Sequence, residues 1–209
     1  MIRMGRIRMM VGFALLCFSL VATGAFSPLI PQDSANAISS PLGLFASYYN
    51  DLGDRMQSLI YDLDAHAPTN GFLGGNSLLN ISDRQTGCEV MTIAYFKTHQ
   101  DLQTFAHSSH HRETWDWWNG LTRKKKVGHL SIAHEVFCAP KGSWEGSYAN
   151  VAPSMFAATN HWVVDKEGKG SWRSPMVVGK GRFRSAMGRM GKSIGDDNEA
   201  YGEEPYSDV

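Results

Sequence analysis

The chain has almost no cysteine chemistry. Three cysteines stand in 209 residues, Cys17, Cys88 and Cys138, and none has CxxC or CxxxxC spacing. That spacing argues against a cysteine-based metal site. Cys17 lies in an apolar N-terminal run, which leaves two cysteines, too few for a disulfide framework in a domain of this size. Cys88 and Cys138 read as buried small apolar residues. Net charge is lacking too. Twenty Lys and Arg meet twenty Asp and Glu, so no basic excess points to nucleic acid. Gly188-Arg189-Met190-Gly191 is no phosphate loop, because it lacks a Lys-Ser/Thr pair and a preceding strand. The length suffices for one domain with a proper core and not for two large ones.

Aromatic residues are plentiful instead. Six Trp and ten Phe suit a dense core or an apolar ligand pocket. Arg3, Arg6 and Arg8 precede an uncharged apolar run over residues 9–26. Basic residues before such a run are the pattern of a signal peptide or a signal anchor, a hydrophobic helix near the shortest length that spans a bilayer. Residues 1–30 are read as that segment. An anchor places the domain at an endomembrane. Cleavage, for which Ala35-Asn36-Ala37 is a small-x-small site, makes it secreted. Asn80-Ile81-Ser82 is a glycosylation sequon in either lumenal case. Residues 31–41, bounded by Pro31 and Pro41 and rich in Ser, read as a linker.

The main domain is expected over residues 42–165. Leu44, Tyr48, Leu52, Met56, Leu59 and Leu63 recur at steps of three and four, which predicts a helix over residues 44–66. Pro68-Thr69-Asn70-Gly71 ends it. Residues 72–81 and 89–96 read as strands joined by a polar turn. Thr98 and Asp101 form a capping box for a second helix, with a break near Ser108-Ser109 and a continuation through Trp115, Trp118 and Leu121. Residues 123–126 are a basic turn, 127–138 a long strand, and 144–151 a short strand or extended arm. Residues 166–209 form a C-terminal extension expected to wrap the surface or to be partly disordered. With one strand in front, the order is the β-α-β-β-α-β of a ferredoxin-like α+β fold. That strand should lie just before Pro41, yet Ser34 to Ser40 make a poor one. A short strand there, or one supplied by the N-terminal apolar run, would complete the sheet. A single such sheet leaves one face without helices, and a second copy is the common cover, giving a homodimer.

An ordered set of residues carries a resemblance. Pro41-Leu42-Gly43 precedes the first helix and Gly71-Phe72-Leu73-Gly74 follows it. Tyr95-Phe96 ends a strand, and Leu102 and Phe105 open the next helix. His110 leads to Trp115-x-Trp117-Trp118. Gly128 precedes His134-Glu135, Trp144-Glu145 leads to Tyr148-x-Asn150 and Pro153, and Gly188-Arg189-Met190-Gly191 closes the set. In this order and spacing the chain resembles the antibiotic-biosynthesis-type monooxygenase-like family of fungal secondary metabolism. The resemblance implies a dimeric α/β barrel and, for some relatives, oxygenation without metal or flavin.

Candidate site residues follow from strand and helix geometry. On the long strand His129, Ser131, Ala133, Glu135 and Phe137 share one face, a half-polar pocket wall. Leu130, Ile132, His134 and Val136 share the other, which reads as core. His129 or His134, with Glu135, is the candidate base pair, because imidazole titrates near neutrality. The alternatives are a solvent-facing His129, an ordinary ion pair at Glu135 and a satisfied core histidine at His134. His107, His110 and His111 cluster on the second helix, where spacing alone would allow a metal, but no carboxylate or cysteine completes a pattern. His110 is preferred as the position shared with the family. Trp115 and Trp118 point similarly and Trp117 elsewhere, to line a pocket or fill the core. Tyr95, Tyr148 and Asn150 are candidate donors. The expected function is cofactor-free oxygenation of an apolar polyketide or terpenoid intermediate, with O2 as co-substrate and no metal. A haem enzyme, a cofactor-free cyclase or dehydratase, and a non-enzymatic binding module at a membrane remain alternatives.

Overall fold

The computed structural model describes residues 13–21, 47–79, 90–140, 142–149 and 151–193. Its sheet has four strands, β1 (Phe13–Val21), β2 (Phe72–Leu79), β3 (Val90–Phe96) and β4 (Ser131–Ala139). Their spatial order is β2-β3-β1-β4, with every neighbouring pair antiparallel. The helices between them are α1 (Tyr49–Ala65), the single turn α2 (Ala67–Asn70), α3 (His99–Ala106) and α4 (Ser109–Arg123). This is the split βαβ arrangement that the element order predicts.

The first strand comes from the N-terminal apolar run, one of the sources expected for it, and corrects only the reading of that run as a hydrophobic helix. The residues read as a hydrophobic helix pair instead as a strand at the centre of the sheet. They run from Phe13 opposite Ala139 to Val21 opposite Ser131 on one side, and from Ala14 opposite Phe96 to Leu20 opposite Val90 on the other. A continuous apolar run is ambiguous by itself. A strand with sheet on both edges and cover on its faces needs the same composition as a short membrane helix. Among the described residues no helix is long and apolar enough to cross a membrane. Ser34 to Ser40, the other site considered for this strand, lie outside the described residues.

Local rules account for the remaining elements. In α1, Leu52, Leu59 and Leu63 are buried on one stripe, at the spacing of a helix face. Asn70 closes the following turn, donating from its amide to the Leu63 carbonyl and accepting from the Phe72 backbone N–H. The capping box at α3 forms as read, with the Asp101 backbone N–H donating to the Thr98 hydroxyl. The expected break also occurs, and the Ser108 hydroxyl caps α4 by accepting from the His111 backbone N–H. Phe72 and Phe96 meet edge to face at 5.5 Å on the helix side of the sheet. Each is fully buried with Leu52, a burial that contributes about 1.5–3 kcal/mol per side chain.

The other face of the sheet carries Leu73, Ile93 and Tyr95. It is covered in part by residues after β4: Trp144, Met155 and Phe156 pack there, the last two from a 3-10 turn at Met155–Ala158. Tyr95 and Trp144 both meet the Phe156 ring edge to face. The segment expected as a short strand or extended arm at 144–151 has no strand among its described residues, 144–149 and 151. Beyond it β5 (His161–Val164) and β6 (Gly170–Arg173) form a hairpin across residue 165, and α5 (Ala186–Arg189) is a single turn. Cys138 is exposed, not buried as expected, because β4 is an edge strand; Cys88 lies outside the described residues.

Candidate active site

Between the helix side of β4 and helices α1, α3 and α4 lies a cavity of about 430 Å³. Its apolar lining comes from Leu52, Met56 and Leu59 of α1, Leu102 and Phe105 of α3, and Ile132 and Val136 of β4. Trp115 and Trp118 line it from α4. Three imidazoles, His107, His111 and His134, share that lining with Gln103, Arg112 and Thr114.

His111 is placed by the break between α3 and α4. The Ser108 cap fixes the first turn of α4 around it, and Phe105 meets its ring edge to face at 5.2 Å. Burial pushes the imidazole below its ordinary range, since an apolar setting penalises the cation. A hydrogen bond to the Ala106 backbone opposes this in part, and the neighbouring His134 and His107 reinforce it. His111 is therefore neutral near pH 7 and able to accept a proton. A neutral imidazole on the wall of an apolar cavity has the protonation state a general base requires.

The expected site residues divide. His134, Trp115 and Trp118 reach the cavity. His134 lines it on the face read as core, so the pocket wall and the core face are exchanged relative to expectation. Glu135, next along β4, has the opposite face and is exposed, so it does not join His134 as its orienting partner. The Nε2 of His129 hydrogen-bonds the Ser47 carbonyl at 2.9 Å, which ties the loop before β4 to the start of α1. His110 turns to α1, with its Nε2 3.0 Å from the Ser58 hydroxyl and its Nδ1 3.9 Å from Asp62. Tyr95 is buried on the far side of the sheet against Phe156. Tyr148 lines a separate groove of about 640 Å³ beneath the C-terminal extension. Asn150 lies outside the described residues.

The three helix histidines do not converge, because His110 departs from His107 and His111. Among the described residues no group of three His, Cys, Asp or Glu is arranged to hold a metal ion. Trp117 does not join Trp115 and Trp118 in the cavity lining; it packs, as Trp118 also does, against the cluster of Tyr49, Leu52, Val127 and Leu130, with the Arg55 guanidinium 4.5 Å from its ring centroid. Sequence reasoning preferred His110 to His111. The period of α4 favours the reverse, since His111, Trp115 and Trp118 fall at i, i+4 and i+7 on one face. Gln103 and Arg112 carry no comparable signal.

A family model described as Monooxygenase af470-like matches residues 37–156, more than half of the chain. A curated relative, Monooxygenase af470 of Aspergillus fumigatus, is 27% identical over 154 residues, covering 71% of this chain and 54% of that protein. The chain thus spans about half the length of the curated relative it matches. Among solved structures, a mutant of SnoaB, a cofactor-independent oxygenase from Streptomyces nogalater, is similar at 11% identity and a TM-score of 0.34, over 61% of this chain and 92% of that one. A Bacteroides thetaiotaomicron protein of unknown function, described as a possible oxidoreductase, is similar at 9% identity and a TM-score of 0.34, over 62% and 98%. Likenesses at this level carry no functional argument.

Proposed function

Because the chain belongs to the Monooxygenase af470-like family, we propose that it is a monooxygenase-type oxidoreductase whose reaction takes place in the cavity between the sheet and α4. The observation that carries this reading is His111, a half-buried imidazole kept neutral on an apolar wall beside two more imidazoles. The substrate is a small apolar natural-product intermediate, a polyketide or terpenoid of fungal secondary metabolism. The cavity's apolar lining supports this, and its volume lies in the range of about 300–1,000 Å³ typical of small-molecule sites.

The reaction needs no bound cofactor if the substrate has an acidic C–H. His111 removes that proton and the carbanion passes an electron to O2. Recombination and loss of water convert the CH2 to a carbonyl, with one oxygen atom in the product and the other in water. His134 and His107 lie near enough to influence His111 electrostatically, and Arg112 and Gln103 supply donors for the developing oxyanion. Trp115 and Trp118 cover the cavity against water. On the other side of the sheet Phe137 is 51% exposed and Leu78 41% exposed. A second copy of the chain packed there would cover them, which supports the homodimer.

Oxygen uptake tests this reading. The full chain, its absorption spectrum recorded, is offered a panel of enolisable polycyclic phenols and β-diketones. Uptake by the colourless protein is expected, and His111→Ala should lower it about 10²- to 10⁴-fold, the contribution of one general base. Uptake should fall toward acid pH as His111 becomes protonated. A Soret band, a need for added flavin or metal, or full turnover in His111→Ala would overturn it. Substrate turnover without oxygen uptake would assign the same base to a cyclisation or dehydration.

A further inference from the structure

The hairpin of β5 and β6 is built unlike the rest of the surface. Trp162 and Trp172 stand opposite each other in its register and meet edge to face at 5.2 Å. The Trp162 ring lies over Gly170, where a Cβ would come within 1.9 Å of it, so only glycine leaves room for the pair. Yet Trp172 stays 46% exposed and Val164, on the same face, 57%. Met176, Val177 and Val178 follow within six residues of Trp172 and are exposed as well, Val178 by 69%. Isolated exposed apolar residues need no explanation, but a run of them on one segment does.

Charge on this segment is one-sided. Residues 161–193 carry eight Lys and Arg against Asp165 and Glu167, in a chain that is neutral as a whole. The Asp165 carboxylate is engaged inside the hairpin turn, accepting from the backbone N–H groups of Glu167 and Lys169. Among the described residues Lys166, Lys169 and Arg173 form no ion pair. Lys97 secures the hairpin to the domain by donating to the Trp162 carbonyl at 3.4 Å.

We propose that this segment is a lipid-facing surface, on which Trp172, Val164 and Val178 enter the interface of an anionic bilayer while Lys166 and Lys169, in the hairpin turn, meet its headgroups. Tryptophan is suited to such an interface because its ring is apolar and its N–H polar. Basic residues near an anionic leaflet add attraction that salt weakens. A second copy is a poor occupant, since two such cationic faces repel each other. An acidic peptide or a nucleic acid satisfies the cations and leaves the valines in water. The chain's own residues 194–209, with six acids and no Lys or Arg, have the complementary charge and are the rival occupant.

Flotation of the full chain with phosphatidylcholine vesicles, with and without phosphatidylserine, decides between these. Binding is expected only with phosphatidylserine and should weaken at high salt. Lys166→Glu/Lys169→Glu and, separately, Val178→Asp should each weaken it about tenfold or more. All three positions are exposed, so near-UV circular dichroism should be unchanged. Absence of binding by the full chain overturns the proposal in favour of another occupant. Equal binding to neutral vesicles, or binding that neither variant alters, also overturns it by assigning the affinity elsewhere, such as the apolar run at residues 9–26.

Discussion

On the helix side of the sheet, Phe72, Ala94 and Phe96 are sealed by α1 and α3, elements adjacent to them in sequence. On the other side, Leu73, Ile93 and Tyr95 are sealed by Trp144, Met155 and Phe156, which arrive only after β4. The first cover comes from the βαβ units themselves and leaves the cavity that holds His111. The second is an arm laid over half a face, with Phe137 and Leu78 still exposed. The apolar-walled cavity is on the side closed by regular elements, and the loosely closed side keeps exposed apolar residues.

Both faces depend on β1, so its loss should have the largest effect. A chain starting at residue 38 lacks the strand with which β3 and β4 both pair. It should show no cooperative urea transition, whereas the full chain should. Leu16→Pro, which removes a ladder N–H opposite Ala94 and Val136, should act in the same direction. A cooperative transition in the shortened chain would show that the sheet closes without β1.

Next in size is a contrast between the two faces. Phe96→Ala, at a fully buried site on the helix side, should cost about 3–5 kcal/mol in urea unfolding. Phe137→Ala, half exposed on the other side, should cost under about 1 kcal/mol. Comparable losses would mean that a second copy already buries Phe137, and the loss should then depend on protein concentration.

Most of the helix side was legible in the sequence, and the reason is local. The spacing of Leu52, Leu59 and Leu63, the Thr98–Asp101 box and the Ser108 break are patterns contained within a few residues. The centre of the sheet was not. An apolar run after three arginines has the same composition whether it becomes a membrane helix or a central strand, and only its partners decide. The arm was illegible for a related reason, since nothing near Trp144 or Phe156 names Tyr95 as the contact. Within the site, alternation along β4 correctly separated His134 from Glu135, but it could not say which face held the cavity. The preference for His110 came from the family pattern, and the structure gives that residue a brace to α1.

The arm itself supplies a smaller test. Arg189 donates to Glu145 at 2.9 Å and to the carbonyls of Phe183 and Arg184, which binds α5 to the segment after β4. Gly188 sits where a Cβ would strike the Arg182 carbonyl, so the turn accepts no side chain there. Arg189→Ala should cost about 1–3 kcal/mol through carbonyls left unpaired and a partly buried charge pair lost. Hydrogen exchange should rise in residues 142–149 and 181–193 and stay unchanged in α1 and α3. Exchange that rises equally on both sides of the sheet would show that the two covers are one cooperative unit.

The smallest effect expected is a pH dependence confined to the helix side. The native pKa of His111 lies below its unfolded value, so between the two the unfolded chain binds the extra proton. The stability this contributes is complete above the ordinary imidazole value of about 6.5 and is lost as pH falls from there toward the lowered native value. One full proton corresponds to about 1.4 kcal/mol per pH unit, and solvent screening of a half-buried ring keeps the effect well below that. His161, also lowered by burial, adds a loss of the same sign from the hairpin. Asp64, raised by burial, acts oppositely and in the carboxylate range. The difference between wild type and His111→Asn isolates the cavity from both. Its stability gap should narrow as pH falls through the imidazole range, and a gap that stays constant would mean the cavity does not hold His111 neutral.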